Sequence, residues 1–294
     1  MTPTVRPERI LVVAALVTAG LALEVAVSRA LLSGAGAAQV ALAWLLVPAI
    51  AVVGAAGAAW AGRPHAPVPR VRPGREAGGM IPTGRLLVLR LPLDVVVPAL
   101  LAAGFALFVQ IFESGLVQGL MVVVAGFVFA GVLWAQAHAR YIADPRFALA
   151  QTALNVIGHL TAFLLFSVIY GLKLRSLISA PAVDVISALL LFELLSRDAA
   201  WHRAMGLPVE PQRATAGWMA LGGGLVAGEL AWGLNYWAAL STLVGGAFLL
   251  VVFYVLHGVA SNYLDRSLTR RLIVEYGAVG AIAVLVVLAS AFVS

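Results

Sequence analysis

The sequence predicts an all-α polytopic integral membrane protein, a bundle of about nine transmembrane helices oriented N-in and C-out. Three observations carry this. Hydrophobic residues make up 62% of the 294 and charged ones 11%, with a mean hydropathy of +1.01. Soluble domains hold roughly 45–50% apolar and about 25% charged residues. Nine stretches come close to the ~20 apolar residues that cross a hydrocarbon core. When those stretches alternate across the bilayer, only Arg29, Lys173 and Arg175 of the 19 basic residues fall outside. That bias fixes orientation, because basic residues stay on the cytoplasmic side.

The first span, near 8–32, follows Arg6 and Arg9. Its start also fits a signal peptide cut between Ser28 and Arg29, but the apolar run to Leu32 is long enough to span. The second, near 38–62, contains Pro48, and the third, near 92–112, contains Pro98; both prolines are expected to kink their helices. Between them lies a break with Pro at 64, 67, 69, 73 and 82 and Arg at 63, 70, 72, 75, 85 and 90. Such a segment is extended and charged, so it reads as a cytoplasmic linker held near anionic lipid headgroups. It divides the chain into a hairpin (1–62), a linker (63–91) and a seven-helix core (92–294).

Within the core the fourth span runs near 116–138. The fifth, near 147–170, is expected to open with Asp144 as cap and Pro145 in the first turn. The sixth runs near 178–197, and the seventh, near 215–236, takes Thr215 as its cap. The eighth and ninth follow near 238–258 and 271–292.

Polar groups at membrane depth are costly, about 2.5–3.5 kcal/mol each on insertion scales, so each one needs a reason. Glu24, His159, Glu229 and Asp184 stand out. The fifth span carries Gln151, Asn155 and His159 at i, i+4 and i+8, which puts them on one helix face turned toward protein or water. The alternatives are interhelical hydrogen bonding and a lined cavity with a titrating imidazole. The seventh span carries Gly222, Gly223 and Gly224, then Gly228, Glu229, Trp232, Asn235 and Tyr236. Those glycines are read either as close packing, with Gly224 and Gly228 in a small-xxx-small contact, or as a locally unwound ligand site. His159 and Glu229 are expected to share one interior space, with Asn155 and Asn235 as orienting partners and Glu24 as a further candidate.

Glu193 and Arg197 form an ExxxR pair, with His257 and Asn262 later. This is partly similar to membrane-embedded CAAX-type proteases. However, Phe192 stands where a second Glu belongs and no FxxxH segment follows, so an i,i+4 ion pair is the simpler reading. His138 and His257 lie near cytoplasmic helix ends without metal-ligand spacing, so neither metal nor haem is expected.

Several mechanisms drop out. There is no cysteine, hence no thiolate, Fe–S or Cys-ligated zinc chemistry. The only lysine, Lys173, lies in an outer loop, which rules out a retinal Schiff base. No Walker A, GxSxG or HExxH motif occurs. The net charge of +6 orients helices and matches no nucleic-acid module. The leading expectation is a small-solute transporter or permease of a bacterial inner membrane, proton-coupled in its sharper form. The runner-up is an intramembrane lipid- or isoprenoid-modifying enzyme using Glu193, Arg197 and His257. The third is a non-catalytic subunit docked on a membrane protein partner.

Overall fold

The computed structural model describes residues 7–32, 37–61, 93–140, 144–173, 175–204, 213–236 and 240–293. Among these the chain is all-helical. In order come α1 (Pro7–Leu32), α2 (Ala37–Ala61), α3 (Val96–Val109), α4 (Gly115–Ala139), α5 (Phe147–Gly171), α6 (Ser176–Ala204), α7 (Arg213–Leu234), α8 (Thr242–Leu264) and α9 (Arg270–Val293). Each overlies one predicted stretch. The 63–91 linker, with its expected headgroup contacts, lies outside the described residues.

Five helices are long and apolar enough to cross a membrane: α1, α4, α5, α6 and α8. Their length and apolar composition, among the described residues, mark a membrane-embedded chain, since about 20 apolar residues cross a hydrocarbon core. At 14 residues, α3 spans only ~21 Å at 1.5 Å per residue. A single 3-10 turn, Leu93–Val95, leads into it.

Consecutive helices run antiparallel, and side-chain contacts mark the two ends of the bundle. At one end Arg9 donates to the Trp60 carbonyl at 3.3 Å, and Arg140 pairs with Asp94 at 3.1 Å. At the other, Gln110 donates to Glu24 and Arg29 to Gln118, both at 2.8 Å, while the Asn235 amide donates to Ser179. One hydrophobic core joins α1 to α5 around Phe105, Phe129 and Leu154. A second joins α5 to α8, with Val97 of α3, around Phe166, Leu191 and Phe253. The N-terminal hairpin therefore packs within a shared core rather than standing beside the rest, and α5 belongs to both cores.

Several local expectations change. Pro98 sits in the first turn of α3, where its missing N–H has no intrahelical partner to lose, so it does not kink a helix interior. Pro48 lies inside α2, which continues on both sides of it. Thr215 lies inside α7 rather than capping it. Asp144 serves the turn before α5: its Oδ1 accepts the Arg146 N–H at 2.8 Å, and its Oδ2 meets His138 Nδ1 at 2.7 Å. The His138 contact first, then the Arg146 N–H, holds the Asp144 carboxyl below the usual carboxylate range.

In the glycine run of α7, Gly223 and Gly224 are packing positions, while a Cβ on Gly222 would meet nothing within 4 Å. The helix is unbroken from Arg213 to Leu234, so no unwound site forms there. A Cβ on Gly224 would lie 2.6 Å from the Asp184 carbonyl oxygen, and one on Gly228 would lie 3.0 Å from that of Ala180. Only glycine lets α6 and α7 approach this closely. Asp184 is thereby placed at the α6–α7 contact.

Candidate functional site

In the ExxxR pair of α6 both carboxylate oxygens are engaged, while Arg197 Nη1 is buried without a hydrogen-bond partner among the described residues. Glu193 is 0% exposed. Its Oε2 accepts the Val97 N–H at 2.9 Å and its Oε1 pairs with Arg197. Val97 is in the first turn of α3, whose N–H groups have no carbonyl partner of their own. A carboxylate there satisfies a donor and complements the positive end of the helix dipole. The pair is thus the buried anchor of a short helix. His257 belongs to a different hydrogen-bond network, around Asp198, and shares no hydrogen bond with Glu193 or Arg197 among the described contacts.

That second network surrounds Asp198, one turn further along α6. His257 Nε2 lies 3.2 Å from Asp198 Oδ2, and Ser261 Oγ donates to the same oxygen at 2.9 Å. The Asn155 side chain also hydrogen-bonds this carboxylate. Since a carboxylate accepts, His257 Nε2 carries the proton of that bond. On α8, one turn separates His257 from Ser261, which is why both reach one carboxylate. Asn262 donates to the Gly258 carbonyl at 2.7 Å and to the Tyr276 hydroxyl at 3.3 Å, tying in α9. These groups, with Gln151 and Tyr254, line a cavity of about 420 Å³ between α5, α6, α8 and α9.

The predicted polar stripe of α5 is split between cavity and core. Gln151 and Asn155 line the cavity. His159 sits deeper, its ring centroid 5.2 Å from that of His257 and 5.4 Å from Phe253. Its Nδ1 donates to the Asn155 carbonyl at 2.8 Å, which leaves Nε2 buried with no hydrogen-bond partner. Glu229 is elsewhere. It is exposed on the outward side of α7, beyond the glycines that face α6, so the expected interior space shared with His159 does not exist. The reason is steric: Gly224 and Gly228 set the buried face of α7, and Glu229 follows Gly228 by 100° around the helix. Asn235 clamps the end of α7 to Ser179 of α6 and does not face His159.

At the opposite end of the α5–α8 contact from the Asp198 cavity lies a second cavity. That cavity, of about 440 Å³, contains Glu24 and Gln110 and is bounded by Val168, Gly171 and Leu172 of α5 and Thr242 of α8. Between the two, the seam is closed. Tyr170 packs on Gly245, Ser167 on Gly246, and Phe166 meets Phe253 at 6.0 Å between centroids.

Residues 23–290 match a family model described as "Protein of unknown function (DUF5656)". The chain belongs to the DUF5656 family. The DUF5656 region begins one residue before Glu24 and runs into α9, so both cavities lie wholly or largely within it. No curated protein and no solved structure matches the chain.

Sequence reasoning missed Asp198, Ser261, Tyr254 and Tyr276 as members of the DUF5656 cavity. Asp198 lies one residue past the predicted 178–197 span, beside Arg197, where a charge at a helix end is ordinary. The available signal was the His257–Ser261 spacing, two polar groups one turn apart near the end of an otherwise apolar helix.

Proposed function

We propose that this chain is a permease that moves a small polar solute along the α5–α8 seam. The observation that supports this reading is the seam's shape: a polar-lined cavity at the Asp198 end, a mainly apolar one holding Glu24 at the other, and an aromatic and glycine closure between them. Carboxylate, imidazole, amide and phenol groups at the Asp198 cavity suit a hydrophilic solute, because they supply donors and acceptors in place of water. Proton coupling, in this reading, runs through the His257–Asp198 pair, with Glu229 taking no part.

We also infer nine spans with the N-terminus inside a bacterial plasma (inner) membrane. The Asp198 end is then cytoplasmic, since all but three of the 19 basic residues fall on that side. Single cysteines at Pro73 and Ser294 test this orientation in a chain that has no cysteine of its own. An impermeant thiol reagent on intact cells should label Ser294→Cys and not Pro73→Cys; the reverse pattern overturns it.

The seam itself is tested at Ser167, which is 0% exposed and lies in the closure. Ser167→Cys should react with a small methanethiosulfonate both in intact cells and in inside-out vesicles, because a permease opens to each side in turn. Reaction from one side only, or none, defeats the permease reading. A second reading, the subunit, draws on Glu229: an exposed carboxylate on a membrane helix, beside Trp232 and Tyr236, favours cover by a membrane protein partner over lipid.

A further inference from the structure

The chemistry of the Glu24 cavity points to a ligand of its own. Glu24 is 2% exposed, in the C-terminal third of an apolar helix. Its Oε1 accepts the Gln110 amide at 2.8 Å, while its Oε2 is buried without any hydrogen-bond partner. Protonation does not repair this, because a carboxylic O–H at Oε2 would still lack an acceptor. A buried polar atom left in that state calls for a missing partner.

The cations nearest in the fold are already engaged or turned away. Arg29 donates to Gln118 at 2.8 Å and to the Glu113 carbonyl at 3.5 Å. Lys173 reaches the Leu240 carbonyl at 3.4 Å and lies 4.0 Å over the Tyr170 ring. Arg175 is exposed at the start of α6. Glu24 therefore lines about 440 Å³ of space with no counter-ion among the described residues. The other walls are Val47, Leu107, Ile111, Val168 and Leu172, with the oxygen-bearing side chains of Ser28, Gln110 and Thr242 among them. A divalent inorganic cation takes about six or more oxygen ligands, more than these side chains and Glu24 supply between aliphatic walls.

We propose that this cavity binds an organic monocation, a primary or secondary ammonium carried on an apolar body. The Glu24 side chain turns Oε2, buried in the unliganded fold, toward the cavity to meet the N–H groups, and the hydrocarbon part fills the aliphatic space. Cavities of this size accommodate small-molecule ligands, and a single well-placed charge in an apolar pocket fixes their orientation. The proposal concerns binding and stands whether or not a solute passes along the α5–α8 seam.

The test is equilibrium binding of phenethylammonium to the full-length chain in nanodiscs, with phenethyl alcohol as the uncharged comparison. The wild type should prefer the cation by about tenfold or more, the scale of a hydrogen bond to a charged group. Glu24→Gln keeps the shape and should erase that preference. Leu172→Trp, at the half-exposed rim, leaves Glu24 in place and should exclude both probes, so the proposal stays testable if the Glu24 variant does not fold. No binding, equal affinity for cation and alcohol, undiminished cation binding by Glu24→Gln, or unchanged binding by Leu172→Trp each overturns it. An unreactive Ser167→Cys alongside intact cation selectivity would remove the permease reading alone.

Discussion

Glu193 and Asp198 lie five residues apart on α6, yet they have opposite surroundings. Glu193 is sealed, and its partners are a backbone N–H and an arginine on its own helix. The Asp198 side chain is 19% exposed, and its partners are a histidine, a serine and an amide that themselves line a cavity. A carboxylate that completes a helix end is committed to the scaffold. One held by side chains around an open space has partners that a ligand can displace. The comparison separates two roles that the bare residue type does not.

The sharpest way to break this contrast is Glu193→Leu. It strands the Val97 N–H and leaves Arg197 buried without its partner, so unfolding stability should fall by about 3–5 kcal/mol. Denaturant titration in micelles measures it, and a loss under about 1 kcal/mol would return Glu193 to the list of functional candidates. The glycine contact is the next largest effect. Gly224→Leu drives a side chain into the Asp184 backbone and should cost about 1–3 kcal/mol by overpacking, read in the same titration. An unchanged midpoint would mean that α6 and α7 can separate freely.

Asp198→Asn should cost only about 1 kcal/mol, because the amide keeps the shape and one acceptor. It should nevertheless slow labelling of Ser167→Cys, which Glu193→Gln should not. Glu229→Gln should change stability by no more than about 0.5 kcal/mol, as for exposed positions generally. A larger loss would show that the outward face of α7 is covered. The smallest effect concerns pH. Asp144 has its carboxyl held low in the fold, so its contribution is full above the ordinary carboxylate range and is lost as the pH falls through the lowered value. The advantage of wild type over Asp144→Asn should therefore be present at neutral pH and fade only below about pH 4; an advantage that grew on acidification would contradict the contact.

What the sequence determined by itself is the set of helices. Nine apolar stretches became nine helices among the described residues, since a segment with few charges has few alternatives in a bilayer. Part of the site was legible as well: the i, i+4, i+8 spacing put Gln151 and Asn155 on one face, and both line the cavity. Tertiary structure alone decided which polar groups meet. A membrane helix is apolar on nearly every side, so its pattern names no inward face, and its rotation is set by where neighbours can approach. On α7 the close approach at Gly224 and Gly228 turned Glu229 outward. On α8 the approach of α5 at Gly245 and Gly246 accompanies the meeting of His257 with Asp198. Glu24 was visible as a buried charge, but its unpartnered oxygen and empty aliphatic surroundings come from helices distant in sequence.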